Sequence, residues 1–140
     1  LTMTIPLSDT SLILADTPAP EMPASLFGNE PAHDWCYFYE KAELARQRGN
    51  WDTVSALGDE SARLGFAASD AFEWLPFIEA YARAGNLDEA ARLSRLALET
   101  DLRVRRGVCQ AWARVRSNNG EPVEVQKISE ALLVEFGCGQ

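Results

Sequence analysis

Lysine is almost missing from this chain: only two of its thirteen basic residues are lysines, Lys41 and Lys127, and the other eleven are arginines. Histidine occurs once, and cysteine three times, at 36, 109 and 138, with no C-x-x-C. So sparse a set of soft ligands fits neither a zinc site nor a disulfide framework, and a reducing, cytosolic setting is the simplest expectation. Apolar runs such as LILA at 12–15 fall far short of the roughly 18 residues a membrane span needs. Neither G-x-G-x-x-G nor G-x-x-x-x-G-K-[ST] occurs, so the sequence offers no phosphate-cradling loop and implies no cofactor. Basic charge is also in deficit: 21 acids against 13 bases give a net charge of −8, which disfavours nucleic acid and anionic lipid as partners. The opening LTMTIPLSD has neither an initiator Met nor a basic stretch leading into an apolar one. A signal peptide is therefore unsupported, and the chain reads as a piece of something longer.

What is present is the composition of an ordinary folded domain. At 140 residues, 46% hydrophobic and 24% charged, the chain is long enough to bury a core without staples. Residues 1–29 differ from the rest. Two β-prone runs, Thr2 to Ile5 and Ser11 to Ala15, flank a PLSD turn, and Pro18, Pro20, Pro23 and Pro31 then punctuate an extended linker in which helix is disfavoured. From Glu30 onward the apolar residues recur at helical spacing.

The clearest unit is Glu73 to Asp101. Trp74, Phe77, Ile78 and Tyr81 form one helical stripe, Gly85 breaks it, and Leu87, Ala90, Ala91, Ser94, Ala97 and Leu98 form a second. Asp70 and Glu73 have capping-box spacing, while Pro76 argues for a later regular start. Upstream, Phe38, Ala42 and Ala45 precede Gly49-Asn50, and Trp51, Val54, Ser55, Gly58 and Ala62 follow it. The two Gly-Asn pairs lie 36 residues apart. Downstream, Val108, Ala111, Trp112 and Val115 repeat the stripe 34 residues on, with Asn119 in the place of Gly85 and Ala131 in that of Ala97. Three copies at a period near 35 residues predict helix pairs at about 30–65, 69–100 and 101–137.

Trp74, Ile78, Tyr81, Gly85, Ala90 and Ala97 stand at the W, G/A, Y, G, A and A positions of the tetratricopeptide repeat, which Glu73 to Asp101 resembles. The flanking copies depart from it at Lys41, Gly58 and Glu124. The resemblance implies an all-α fold, a right-handed α-solenoid of three helix pairs behind a β-prone arm. The stretches EPAHDWCYFYEKAELARQRGNW, SDAFEWLPFIEAYARAGNLDEA and VCQAWARV also resemble the soluble C-terminal region of large multi-spanning bacterial membrane proteins related to glycosyltransferases. If so, any sugar transfer belongs to the membrane part, and this chain sits on the cytoplasmic side, tethered through its parent.

In tetratricopeptide proteins the first helix of each pair lines a groove that holds a peptide. Carried over, the groove positions are Tyr39, Glu43, Arg46 and Gln47, then Leu75, Glu79 and Arg83, then Arg106, Cys109 and Arg116. This mixture of an aromatic, aliphatic and both charge signs suits a protein or peptide partner. The Lys and Asn pattern that clamps a C-terminal carboxylate in some family members is absent.

Two other clusters invite chemistry. His33, Asp34 and Cys36 combine a base, an acid and a nucleophile in HDWC. The plainer reading has Pro31 opening a helix, Asp34 serving its N-terminus, and Trp35 and Cys36 packing. Arg103, Arg105, Arg106, Arg114 and Arg116 could form an anion patch, but a solvated face pairing with Glu99, Asp101 or acids of the preceding helix is preferred. Trp35, Trp51, Trp74 and Trp112 are assigned to packing ahead of a sugar platform at Trp35 or Trp51. The function expected is a non-catalytic interaction or scaffolding module, with a structural spacer or a small Cys/His enzyme as the alternatives.

Overall fold

A computed structural model describes residues 23–29, 32–117 and 123–139, with the side chain of residue 124 excepted. The expected β-prone runs, Pro18, Pro20, Pro31 and Asn119 lie outside the described residues. The chain divides into two units, the first ending at Ala32 and the second starting at His33. In the first, α1 (Ala24–Phe27) is a single exposed turn. It corrects the expectation of a wholly extended linker. Pro23 precedes the helical residues, where its missing N–H costs nothing, and no proline follows until Pro31.

The second unit is all-helical among its described residues: α2 (Trp35–Gln47), α3 (Trp51–Arg63), α4 (Leu75–Arg83), α5 (Leu87–Thr100), α6 (Arg105–Arg116) and α7 (Val123–Glu135). None of these helices is long and apolar enough to cross a membrane. Consecutive helices pack as the pairs α2/α3, α4/α5 and α6/α7, and α4 touches α2, α3 and α6, which makes it the centre of the unit.

The turns explain the Gly-Asn recurrence. Gly49 and Gly85 adopt φ of 71° and 79°, the left-handed region that closes a helix cheaply only with glycine. The next N–H, of Asn50 or Asn86, donates back to Ala45 or Tyr81 at 2.9 Å. The same asparagine then caps the following helix, accepting from Thr53 N at 3.2 Å or Glu89 N at 3.4 Å. One dipeptide thus ends one helix and starts another. α4 and α6 open differently, each behind a short 3₁₀ turn, Ala71–Trp74 and Leu102–Val104, capped by Asp70 and Asp101. The predicted capping box is only half formed: Asp70 accepts from Phe72 N, whereas Glu73 accepts from the Trp35 indole at 2.6 Å. Pro76 falls at the start of α4, where it is tolerated.

The predicted stripes form the core. Phe38, Ala42, Ala45, Val54, Phe77, Ile78, Tyr81, Ala90, Ala97, Val108, Ala111, Trp112 and Val115 are all buried. Trp112 donates to Ser94 Oγ at 3.0 Å, and Ser94 donates in turn to Ala90 O, so the indole is buried without an orphaned N–H. Two positions in the second helices are corrected. Ala62 is exposed and Ser61 takes the buried place in α3. Ala131 is exposed as well, and the register of α7 differs by one residue from the expected one. Ser129 donates to Val125 O as Ser94 does to Ala90 O, which relates α7 to α5 by 35 residues and α6 to α4 by 34. Val125, not Glu124, stands at the small-residue position. Gly58 has a packing reason as well: a Cβ there would lie 2.7 Å from Tyr81 Oη and 2.9 Å from Phe77 Cδ1.

Candidate functional site

Glu79 is the only acid in the stretch Trp74–Arg83, and helical spacing puts it one turn before Arg83. Its side chain is 2% exposed. Oε1 accepts from Arg83 Nη2 at 2.8 Å, and Oε2 accepts from Arg114 of α6 at 2.6 and 2.9 Å. A buried carboxylate between two guanidiniums is well satisfied, and removal of either partner would leave charge stranded in a dry place. The Arg83 guanidinium carbon sits over the Trp51 ring, 4.5 Å from its centroid, so that α3, α4 and α6 meet around one carboxylate.

Beside this hub a recess of about 320 Å³ crosses the first helices of all three pairs. It is lined by Tyr39, Glu43 and Arg46 from α2, by Phe72, Leu75, Pro76 and Glu79 around α4, and by Arg114 from α6. Arg46 and Glu43 form a two-pronged pair at 2.7 and 3.0 Å along the α2 wall. That bond raises the Arg46 pKa further. Burial, followed by the nearby charges of Glu43, Glu73 and Glu40, pushes the Tyr39 phenol above its ordinary range, so it meets a ligand as a neutral donor. Within the lining two guanidiniums, of Arg46 and Arg114, balance the two carboxylates of Glu43 and Glu79.

Of the residues assigned to a groove from the sequence, the recess brings together Tyr39, Glu43, Arg46, Leu75 and Glu79. Arg83 is turned onto Trp51 behind it, and Gln47 is exposed at the end of α2. Arg106, Cys109 and Arg116 line a separate depression against α7. Sequence reasoning missed Phe72, Pro76 and Arg114 as lining. A lone acid inside an apolar helix was the available signal that some cation had to cross from a neighbouring helix. Arg103 pairs with Asp101, as preferred for the arginine-rich helix, whereas Arg114 reaches past the preceding helix to Glu79 of α4.

The cysteines require a correction. Cys109 and Cys138 form a disulfide, with Cα atoms 5.6 Å apart, although the sequence reading left all three cysteines unpaired. The hairpin of α6 and α7 returns the chain to its own start, and Cys138 follows directly after α7, so residues 29 apart become neighbours. Cys36 is free and exposed, not packed as expected, because it lies between Trp35 and Phe38 on the outward side of α2. His33 stacks on Tyr37 with ring centroids 3.5 Å apart, and Asp34 caps α2 by accepting from Tyr37 N. Trp35 is buried among Trp74 and Phe77, and is no open platform.

No protein-family model, curated protein or solved structure matches the chain.

Proposed function

We propose that this chain is a non-catalytic interaction module, a tetratricopeptide-like α-solenoid whose first helices hold a peptide of a partner protein. The observation that carries the reading is the recess crossing α2, α4 and α6, which offers an aromatic hydroxyl, apolar side chains and guanidiniums on one concave surface. Peptide grooves combine these features, with apolar contacts for affinity and a few polar groups for orientation. The two-turn Gly-Asn recurrence and the three successive pairs support the solenoid assignment. The resemblance to the soluble part of a larger bacterial membrane protein gives such a module a place, where it would recruit a partner to its parent.

Selection from a displayed peptide library tests this, with wild-type protein set beside a Tyr39→Ala, Arg46→Ala, Phe72→Ala variant. These three side chains stand on the walls, whereas Glu79 and Arg83 hold helices together and would confound folding with binding. Peptides enriched on the wild type should lose at least tenfold in affinity on the variant, while its circular dichroism and melting midpoint stay close to wild type. Equal binding to both proteins would remove the recess from consideration.

A further inference from the structure

The face by which α4 receives α6 recurs on α6. Leu75 of α4 meets α6 at Gly107, where an added Cβ would lie 2.6 Å from Leu75 Cδ1, and Glu79 receives Arg114. Advanced by the 34 residues that relate Ile78 to Trp112, Leu75 and Glu79 become Cys109 and Ala113. Those two line a depression of about 490 Å³ between α6 and α7, and no described helix covers it. Among the described residues, the seat that is filled at α4 therefore has no occupant at α6.

Its chemistry differs from the filled seat in one respect. Ala113, Leu133 and the Cys109–Cys138 disulfide give it an apolar floor, and Val134, 77% exposed, forms a wall. Arg106 and Arg116 stand exposed at its two ends, about 15 Å apart along the helix axis at 1.5 Å per residue. Neither forms an ion pair among the described residues, whereas Arg114, Arg83 and Arg46 all do. Glu130 is the one carboxylate in the lining, so two cations face one anion there.

We propose that this groove seats an acidic amphipathic helix of a partner protein. Small or apolar residues of that helix lie on Ala113 and the disulfide, and two carboxylates about ten or eleven positions apart reach Arg106 and Arg116. Charge complementarity selects this occupant over a basic one, and the apolar floor selects a helix face over an extended acidic chain. This surface is separate from the recess of Tyr39 and Arg46 and stands or falls independently of it.

The test is selection from a library of displayed helical 18-residue peptides against the intact chain with its disulfide formed, counter-screened on an Arg106→Glu, Arg116→Glu double variant. The expected winners carry two acids ten or eleven positions apart around an apolar centre. They should bind the double variant at least tenfold more weakly and recover on it when their two acids are changed to lysine. Competition by a Val134→Arg variant locates them, since it should lose the same peptides without losing the disulfide. Enrichment of basic or uncharged helices, equal binding by the double variant, or no enrichment over that variant would each overturn the proposal. So would sedimentation showing a wild-type dimer that Val134→Arg converts to monomer, which would give the groove to a second copy.

Discussion

Gly58 and Tyr81 show how little space separates a repeat position from a misfit. The phenol of Tyr81 passes over Gly58 and donates to Asp59 Oδ1 at 2.7 Å. Gly58→Ala gains helix propensity, yet its Cβ would meet two aromatic side chains that have nowhere to turn. Overpacking of this kind costs about 1–3 kcal/mol, so we expect a net loss of stability in urea denaturation despite the better helix former. A gain would show that the α3–α4 contact is looser than its distances. Burial, followed by the hydrogen bond to Asp59, raises the Tyr81 phenol above its ordinary range. Its folded pKa therefore exceeds its unfolded one. Both states keep the proton below about pH 10, and above it the unfolded phenol ionises first, so stability falls as pH rises through that region. Alkaline titration followed by phenolate absorbance should show a tyrosine that ionises only with unfolding, and Tyr81→Phe should abolish that late step. Its persistence in the variant would move the effect to Tyr39, whose phenol is also raised by burial.

At the scale of elements, α7 is held by a covalent tie as well as by its buried Val125, Leu132 and Leu133. The Cys109–Cys138 bond closes a loop 29 residues long across α6 and α7, and a loop of that size stabilises a fold by roughly 3–4 kcal/mol. A Cys109→Ser, Cys138→Ser variant should lose stability of that order, and hydrogen exchange should rise in α6 and α7 while α2 to α5 stay protected. Uniform loss across all six helices would mean that the unit unfolds as one piece. Helix stripes were legible in the sequence because burial repeats every 3.6 residues, and Phe38, Ile78, Trp112 and their neighbours fall where that rule places them. The register of α7 was not, because an inserted residue ahead of the helix shifts the pattern by one and connecting segments carry no periodic signal. Nor was the disulfide, since proximity of residues 109 and 138 exists only once the hairpin has formed.

For the second unit as a whole, the chemistry lies where helices of different pairs meet, and that kept it half hidden in the sequence. Tyr39, Glu43, Leu75 and Glu79 could be assigned to one surface by the tetratricopeptide resemblance carried along the repeat spacing, and they line one recess. Arg114 could not, because an arginine on a helix flank can reach several neighbours and only the packed geometry selects Glu79. Among the described residues the three pairs are nevertheless joined by few polar groups: the indole of Trp35 on Glu73, the phenol of Tyr81 on Asp59, the indole of Trp112 on Ser94, Arg95 on Glu135, and Glu79 between its two arginines. Apart from the Glu79–Arg83 pair inside α4, each bond crosses from one helix or turn to another, so disturbing one of them weakens an interface more than a single helix.

The placement of the tryptophans gives the chain an optical address system. Trp112 is fully enclosed in the third pair, Trp74 is half-buried in the second, and Trp35 and Trp51 belong to the first, the latter lying under a guanidinium. A fluorophore walled off from water emits further to the blue than one at the surface. Single-tryptophan versions would therefore let each third of the unit be watched separately, by colour, while it unfolds or takes up a ligand.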